Sequence, residues 1–317
     1  MGKLLLLLLA AFVSAPASAR DGDGAQWAVV NTSSCFLRAR PDYESANETQ
    51  ALMGTVLRVR EADRYWRRVD APDYGDVWTT EMNLALMDEA EKDAWIAAPK
   101  YICSAEYAWL FAEPSESAER VCDFTLGDLV RRDGGRRGDW VPVVLPSGRG
   151  CWARACDVTE LEEWIRTREA SPERLVAAAR RLIGTPYMWG GSGIKYFDCS
   201  GFTQFVYRQC GLILPRNARE QIVLGEEVPY DLERMQPGDL IFYGTPATAR
   251  KPASVSHVAI YCGAGRIIHA SMLVRVSSLT PDGEDYYGRE PLAVRRLLGC
   301  TEGDGAPRSV AERPWYY

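Results

Sequence analysis

"FDCSGFTQFVYRQCG", residues 197–211, sets an acidic residue, a cysteine and a serine where apolar side chains begin to recur at helical spacing. Phe202, Phe205 and Val206 supply one stripe and Gly211 ends it, so the spacing predicts a helix with Cys199 at its N-terminus. Unpaired amides and the macrodipole at that end favour an anion, which predicts an acidified thiol with a pKa of roughly 3.5–7.5. A disulfide within the helix is excluded by length. Cys210 lies eleven residues on, about 16 Å at 1.5 Å per residue, whereas bridged α-carbons lie within about 7 Å. A more distant partner stays open as an alternative.

Upstream, "SPERLVAAARRLIG" (171–184) reads as an amphipathic helix with Ser171 as N-cap, Pro172 at the first helical position and Gly184 as the stop. Between the two helices, "TPYMWGGSGIKYFDCSG" is a loop dense in glycine and aromatics. Downstream, the chain's only two histidines fall within "SHVAIYCGAGRIIHA" (256–270), two strand-like runs joined by a glycine-containing turn. A hairpin centred on Gly263 sets His257 and His269 directly opposite each other, with β-carbons about 4.5–5.5 Å apart. A thiol at a helix N-terminus, one histidine to share its proton and a second group to orient that histidine form a layout for nucleophilic catalysis. Taken singly, a histidine on a strand is more often structural. A zinc site is the competing reading, but there is no C-x2-C pair, and the closest cysteines, Cys151 and Cys156, lie in another part of the chain. No metal and no cofactor are expected.

The first half carries a repeat. "WRRVDAPDYGDVW" (66–78) and "WVPVVLPSGRGCW" (140–152) are both W-x2-V-x2-P-x5-W, preceded by Gly54 and Gly127 twelve and thirteen residues upstream. Alternating, valine- and aromatic-rich runs with Gly and Pro punctuation predict short strands around a small barrel. The tryptophans either fill these small cores or bind a ligand. The two copies, residues 27–88 and 100–158, resemble the bacterial SH3-like domains that accompany cell-wall enzymes. "DEAEKDAWIAAP" reads as a helical connector between them, and "ELEEWIRTREASPER" as a second linker.

At the start, "MGKLLLLLLAAFVSAPASA" (1–19) has the three-part layout of a secretory signal peptide, with cleavage expected after Ala19. Its apolar run is too short for a spanning helix, and no cysteine stands at the cleavage point to carry a lipid. The formal net charge of −6, or −7 once Lys3 is removed, makes nucleic acid and anionic membranes poor partners. Nine cysteines in an exported chain leave at least one unpaired and permit up to four bridges that sequence does not assign.

"DCSGF", "LPRNAREQ", "PGDLIFYG" and "SHVAIY...IIHA", in this order over residues 172–298, resemble the NlpC family of cell-wall cysteine peptidases, related in fold to papain. The pairing with two SH3-like domains is similar to the family's γ-D-glutamyl-L-diamino acid endopeptidases. The resemblance implies two SH3-like β-barrels followed by an α+β papain-like catalytic domain (171–298) and a tail (300–317) that is either disordered or docked back. It implies Cys199 as nucleophile, His257 as general base and then acid, and His269 as the residue orienting it. Tyr187 is the implied oxyanion partner of the Cys199 amide. Asp198 is implied to meet a substrate's free amino group, with Ser200, Trp189 and Ser256 also lining the substrate site. In that subgroup the first SH3-like domain closes one end of the cleft, so that substrates begin with a free L-alanine; Glu48 is the candidate acid there, against a solvated surface charge. Asn217, after "LPR", stands where relatives often have an aspartate. The implied partners are peptidoglycan stem peptides or muropeptides, and the implied protein is an exported, periplasmic or secreted monomer. The rivals are a wall-binding protein with a degenerate last domain, and an amidase or acyltransferase on the same fold.

Overall fold

The computed structural model describes residues 26–248, 251–300 and 305–312; the signal-peptide reading of residues 1–19 lies outside them. Strands β1 (Trp27–Val30), β2 (Cys35–Arg38), β3 (Asn47–Ala51), β4 (Val56–Asp63), β5 (Trp66–Ala71), β6 (Tyr74–Thr80) and β7 (Leu84–Met87) form one sheet of order β3-β2-β6-β5-β4-β1-β7. Helix α1 (Glu89–Ala97) follows, begun by a capping box in which Asp88 and Glu91 satisfy each other's amides. Strands β8 (Lys100–Cys103), β9 (Tyr107–Phe111), β10 (Arg120–Thr125), β11 (Leu129–Arg132), β12 (Trp140–Val144), β13 (Gly150–Arg154) and β14 (Val158–Glu160) then form a second sheet, ordered β10-β9-β13-β12-β11-β8-β14. Seven strands further along, every position in the order recurs. The sequence repeat is therefore a repeat of topology.

Two expectations about these modules need correction. Each sheet ends on two edge strands that do not pair with each other, β3 and β7 or β10 and β14, so among the described residues the sheets are open and not closed barrels. The modules solve the exposed-edge problem partly by docking: β3 lies against the last domain, as described below. Nor do the tryptophans form the module cores. Those consist mainly of small and branched residues such as Val30, Leu37, Val69 and Val77 in the first and Leu110, Val130, Val141 and Val143 in the second. Trp66 and Trp152 are buried at the margins while Trp78 and Trp140 are half-buried. The repeat glycines Gly54 and Gly127 both take left-handed conformations, φ +88° and +96°. Their turns meet: Asp128 accepts from the Met53 amide at 2.9 Å, and the Leu129 amide donates to Met53 at 2.9 Å.

The remainder begins with α2 (Leu161–Arg166) and α3 (Pro172–Arg181), the latter capped by Ser171, whose side chain accepts from the Arg174 amide. Short strands β15 (Ser192–Gly193) and β16 (Tyr196–Phe197) lead into α4 (Cys199–Gln209). After β17 (Leu212–Ile213) and α5 (Ala218–Gln221) comes an antiparallel six-stranded sheet. It is built from β18 (Glu226–Val228), β19 (Leu240–Thr245), β20 (Ser254–Gly263), β21 (Arg266–Ser271), β22 (Leu273–Ser278) and β23 (Pro291–Arg296), in the order β18-β23-β19-β20-β21-β22. Alternation splits each central strand between two cores. Phe242, Val258, Ile260 and Ile268 pack with Phe202, Phe205 and Val206 of α4, while Ile241, Ala259, Tyr261 and Ile267 build the other face.

The tail docks back: β24 (Arg308–Ser309) pairs with β17, and Val310 is buried. Val310 and Ile213 share one apolar cluster with Val29 and Met87 of the first sheet, Ile102 and Leu129 of the second, and Trp95 and Trp164 of the connecting helices. One seam thus joins all three parts. Among the described residues no helix is long and apolar enough to cross a membrane.

Candidate active site

Helix α4 starts at Cys199 because Asp198 is its N-cap: the Asp198 carboxylate accepts from the Gly201 amide at 2.7 Å, satisfying one of the donors a helix start leaves free. The first turn lies so close to the preceding loop that a β-carbon on Gly201 would come within 2.0 Å of the Gly191 carbonyl. Only glycine permits that approach, which sets the thiol at the loop's edge.

The histidines come from β20 and β21. Their ladder pairs Ile260 with Ile268 and Tyr261 with Ile267, then Gly263 with Arg266 after an irregularity. The hairpin is thus centred on Ala264 and not on Gly263, because Ala264 and Gly265 both adopt positive φ, 51° and 65°, as a two-residue turn of mirror-image type requires. His257 and His269 lie beyond the last ladder pair and are diagonal, not directly opposed. Their imidazoles still meet, His257 Nε2 to His269 Nδ1 at 2.8 Å, since diagonal neighbours remain within reach of long side chains. His269 Nε2 lies 3.0 Å from Ser277 Oγ on β22. Tyr287 packs over the pair, its ring centroid 4.8 Å from His269 and 5.6 Å from His257.

Where β20 and β21 cease to pair, the sulfur of Cys199 lies near enough to the amides of Val258 and Ser200 for both to favour its thiolate. This places the thiol against the strand at the residue after His257. The sequence expectation of an acidified thiol fails here. Burial, reinforced by the Asp198 charge, pushes the Cys199 thiol up to about 11, against the opposing pull of those two amides and Arg216. Burial, and then the Arg289 cation, pushes His257 down to about 4, and burial takes His269 to about 3. At neutral pH the free site holds a neutral thiol and neutral imidazoles. Tyr187 neighbours the thiol, and its hydroxyl is raised to about 12 by burial and then by the Cys199 and Asp198 charges.

The remaining expected residues divide into two groups. Asp198 and Ser200 are buried and already engaged: Arg216, itself 1% exposed, donates to Asp198 at 2.5 and 3.1 Å and to Ser200 Oγ at 3.0 Å. Asp198 also accepts from the Gly190 amide. Trp189 and Glu48 are accessible. Trp189 is 67% exposed, and its carbonyl accepts from Asn47 of β3 at 3.3 Å. Glu48, half-buried on the same strand, accepts from Tyr74 Oη at 2.7 Å. Edge strand β3 is fastened to this region throughout: Gln50 and Ser192 exchange three hydrogen bonds, and Thr49 Oγ1 accepts from Arg216 Nε at 2.8 Å. Ser256, exposed, accepts from Arg289 at 3.0 Å. Asn217 turns away into a local contact with Glu220.

Sequence reasoning assigns no role to Arg216, Tyr74, Ser277, Tyr287 or Arg289. Arg216 stands inside the quoted "LPRNAREQ" motif, which is a usable signal; the others come from segments without local signature.

A half-buried thiol at a helix start, beside two hydrogen-bonded imidazoles and a tyrosine, defines a site of the thiol-peptidase class. Comparison with known proteins agrees. The NlpC/P60 family is matched by residues 184–296. The γ-D-glutamyl-L-lysine dipeptidyl-peptidase of Bacillus cereus is 35% identical over 263 residues, which cover 79% of this chain and 75% of that one. Dipeptidyl-peptidase 6 of Lysinibacillus sphaericus is 28% identical over 251 residues, 77% of this chain and 88% of that protein. A crystal structure of an NlpC/P60 family protein from Bacillus cereus is similar with a TM-score of 0.71 at 25% identity, covering 86% of this chain and 99% of that one. The chain belongs to the NlpC/P60 family of cysteine peptidases.

Proposed function

We propose that the protein is an exported, monomeric cysteine endopeptidase that hydrolyses the γ-D-glutamyl–diamino acid bond of peptidoglycan-derived peptides beginning with a free L-alanine. The observation that supports this reading is the fastening of β3, which bears Glu48, to the Trp189 loop and to Arg216 beside the helix start; we read it as a wall at one end of the thiol site. An acid at that end suits an ammonium group better than a neutral glycan-linked amide. The first two modules, though open sheets, are read as SH3-like domains whose task includes this closure.

In the mechanism, neutral His257 accepts the Cys199 proton as the sulfur attacks the γ-carbonyl of D-glutamate. For His257 Nδ1 to act as that base, its Nε2 must carry hydrogen and donate to His269 Nδ1. His269 Nε2 must then carry the other hydrogen and donate to Ser277 Oγ. Cys199's own amide and Tyr187 hold the oxyanion. Imidazolium His257 protonates the departing amine of the diamino acid, and water, activated by the same imidazole, releases the thioester. Asp198 and Arg216 hold the helix start in place, and Glu48 receives the substrate amine.

Mass spectrometry of L-Ala-γ-D-Glu-meso-diaminopimelate with the mature protein, a Cys199→Ala control and an N-acetylated peptide tests this. Expected is L-Ala-D-Glu plus free diamino acid from the unblocked peptide alone, dependent on Cys199. Equal cleavage of the acetylated peptide removes the role given to Glu48, and release of peptides from intact sacculi overturns the walled cleft.

A further inference from the structure

The residues after β22 fold back over the histidine pair. The Tyr287 amide donates to the Ser278 carbonyl at 2.8 Å, which seats the Tyr287 ring against both imidazoles. Two residues on, Arg289 reaches the shoulder of His257. Its guanidinium donates to Ser256 Oγ at 3.0 Å and to Tyr287 Oη at 3.2 Å, and lies 6.0 Å from the centroid of the Tyr243 ring. Three side chains thus orient a cation next to the proposed base, close enough for its charge to disfavour protonation of His257. Arg289 is nevertheless exposed, and among the described residues no carboxylate pairs with it. Beside it, the hydroxyl of Tyr243 is buried without a hydrogen-bond partner. An arginine held at its inner edge, open at its outer edge and lacking an acid is built to receive an anion from solution.

The chemistry of the proposed reaction supplies one. His257 protonates the leaving α-amine of the diamino acid, so the leaving residue must sit on the His257 side of the thiol. The carbon bearing that amine also bears the α-carboxyl group, only two bonds from the nitrogen that receives the proton. In a tripeptide that group is a free carboxylate. In a longer stem peptide it is a neutral amide.

We infer that Arg289 binds the α-carboxylate of the leaving diamino acid and makes the enzyme selective for peptides that end at that residue. The inference rests on the proposed function for the identity of the leaving group. Arg289 acts on specificity: it takes no part in the proton transfers, and Ser256 and Tyr287 hold its fork toward the leaving side.

The test compares L-Ala-γ-D-Glu-L-Lys with its C-terminal amide, which differ only in the lysine carboxylate; both keep the α-carboxylate of D-glutamate, and lysine brings no acid beyond its own α-carboxyl group. The wild-type kcat/KM for the acid should exceed that for the amide by about 10- to 100-fold, the range expected of a charge-assisted hydrogen-bonded contact. Arg289→Gln should lower kcat/KM for the acid by that factor, mostly through KM, and leave the amide unchanged; Arg289→Lys should retain part of the preference. Calorimetric titration of Cys199→Ala with both peptides should reproduce the difference without turnover. Equal wild-type rates on the two peptides, or an Arg289→Gln loss shared equally by both, overturns the inference in favour of a purely structural arginine. Should the wild type cleave only the diaminopimelate peptide above, the same comparison is made with that peptide and its α-carboxamide; cleavage of none of these sinks the proposed function, and the inference with it.

Discussion

Replacing Arg216 by methionine keeps most of the side chain's length and removes its charge. The consequence can be worked from the structure. Arg216 and Asp198 are 1% and 6% exposed, and the guanidinium makes four hydrogen bonds, two to Asp198 and one each to Ser200 and Thr49. Removing one member of such a buried pair costs about 3–5 kcal/mol, because the other charge stays buried without its counter-ion. Here the lower end applies, since Asp198 keeps the amides of Gly190 and Gly201. Urea unfolding should therefore show Arg216→Met less stable by about 3 kcal/mol, with faster hydrogen exchange in the 189–204 segment and at Thr49. Adding Asp198→Asn removes the orphaned charge while keeping an N-capping side chain. The double variant should recover to within about 1–2 kcal/mol of the wild type. A single variant within about 1 kcal/mol of wild type, or a double variant less stable than the single, refutes the view that this pair anchors both the helix start and the first module.

Two further outcomes follow from the same geometry. His257 and His269 titrate in the folded protein near about 4 and about 3, below the ordinary value of about 6.5, so between these limits the unfolded chain binds more protons and stability must fall as pH drops from about 6.5 towards 4. Burial raises Asp128 to about 8, which acts in the opposite sense, so the measurement is the difference between wild type and His257→Gln: the wild type should lose about 3 kcal/mol more across that window, and identical slopes would contradict a buried neutral His257. Ser277→Ala removes the acceptor of His269 Nε2, and kcat should fall roughly 10-fold with KM unchanged; imidazole nitrogen shifts should report a mixed tautomer, Ser277→Thr should restore part of the rate, and an unaltered tautomer would mean that Ser277 only fills space.

Much of this protein is legible in its amino-acid sequence, and the legible parts share a cause. Helix α4 and its cap, helix α3 with Ser171 and Pro172, and each copy of the W-x2-V-x2-P-x5-W pattern are specified within thirteen residues. Propensity, capping and periodicity act over that range. The place of the candidate reactive groups is legible for another reason. The chain has only two histidines, and both fall on one hairpin with turn chemistry between them.

What the sequence conceals depends on what covers a group. The hairpin register turns on the positive φ angles of Ala264 and Gly265, a shift that the alternation of apolar residues does not reveal. The thiol's pKa departs from the sequence expectation because a helix N-terminus is a local feature, whereas burial, which dominates at Cys199, comes from the surrounding strands and loop. Arg216 meets Thr49 across 167 positions of chain, and Tyr287 reaches His257 from a loop with no pattern of its own. By itself the sequence determined which chemical groups the protein carries and which short elements present them. Only the tertiary structure decided their protonation, their partners and the docking of β3 beside the helix start, because desolvation and long-range hydrogen bonding exist only once distant segments are packed together.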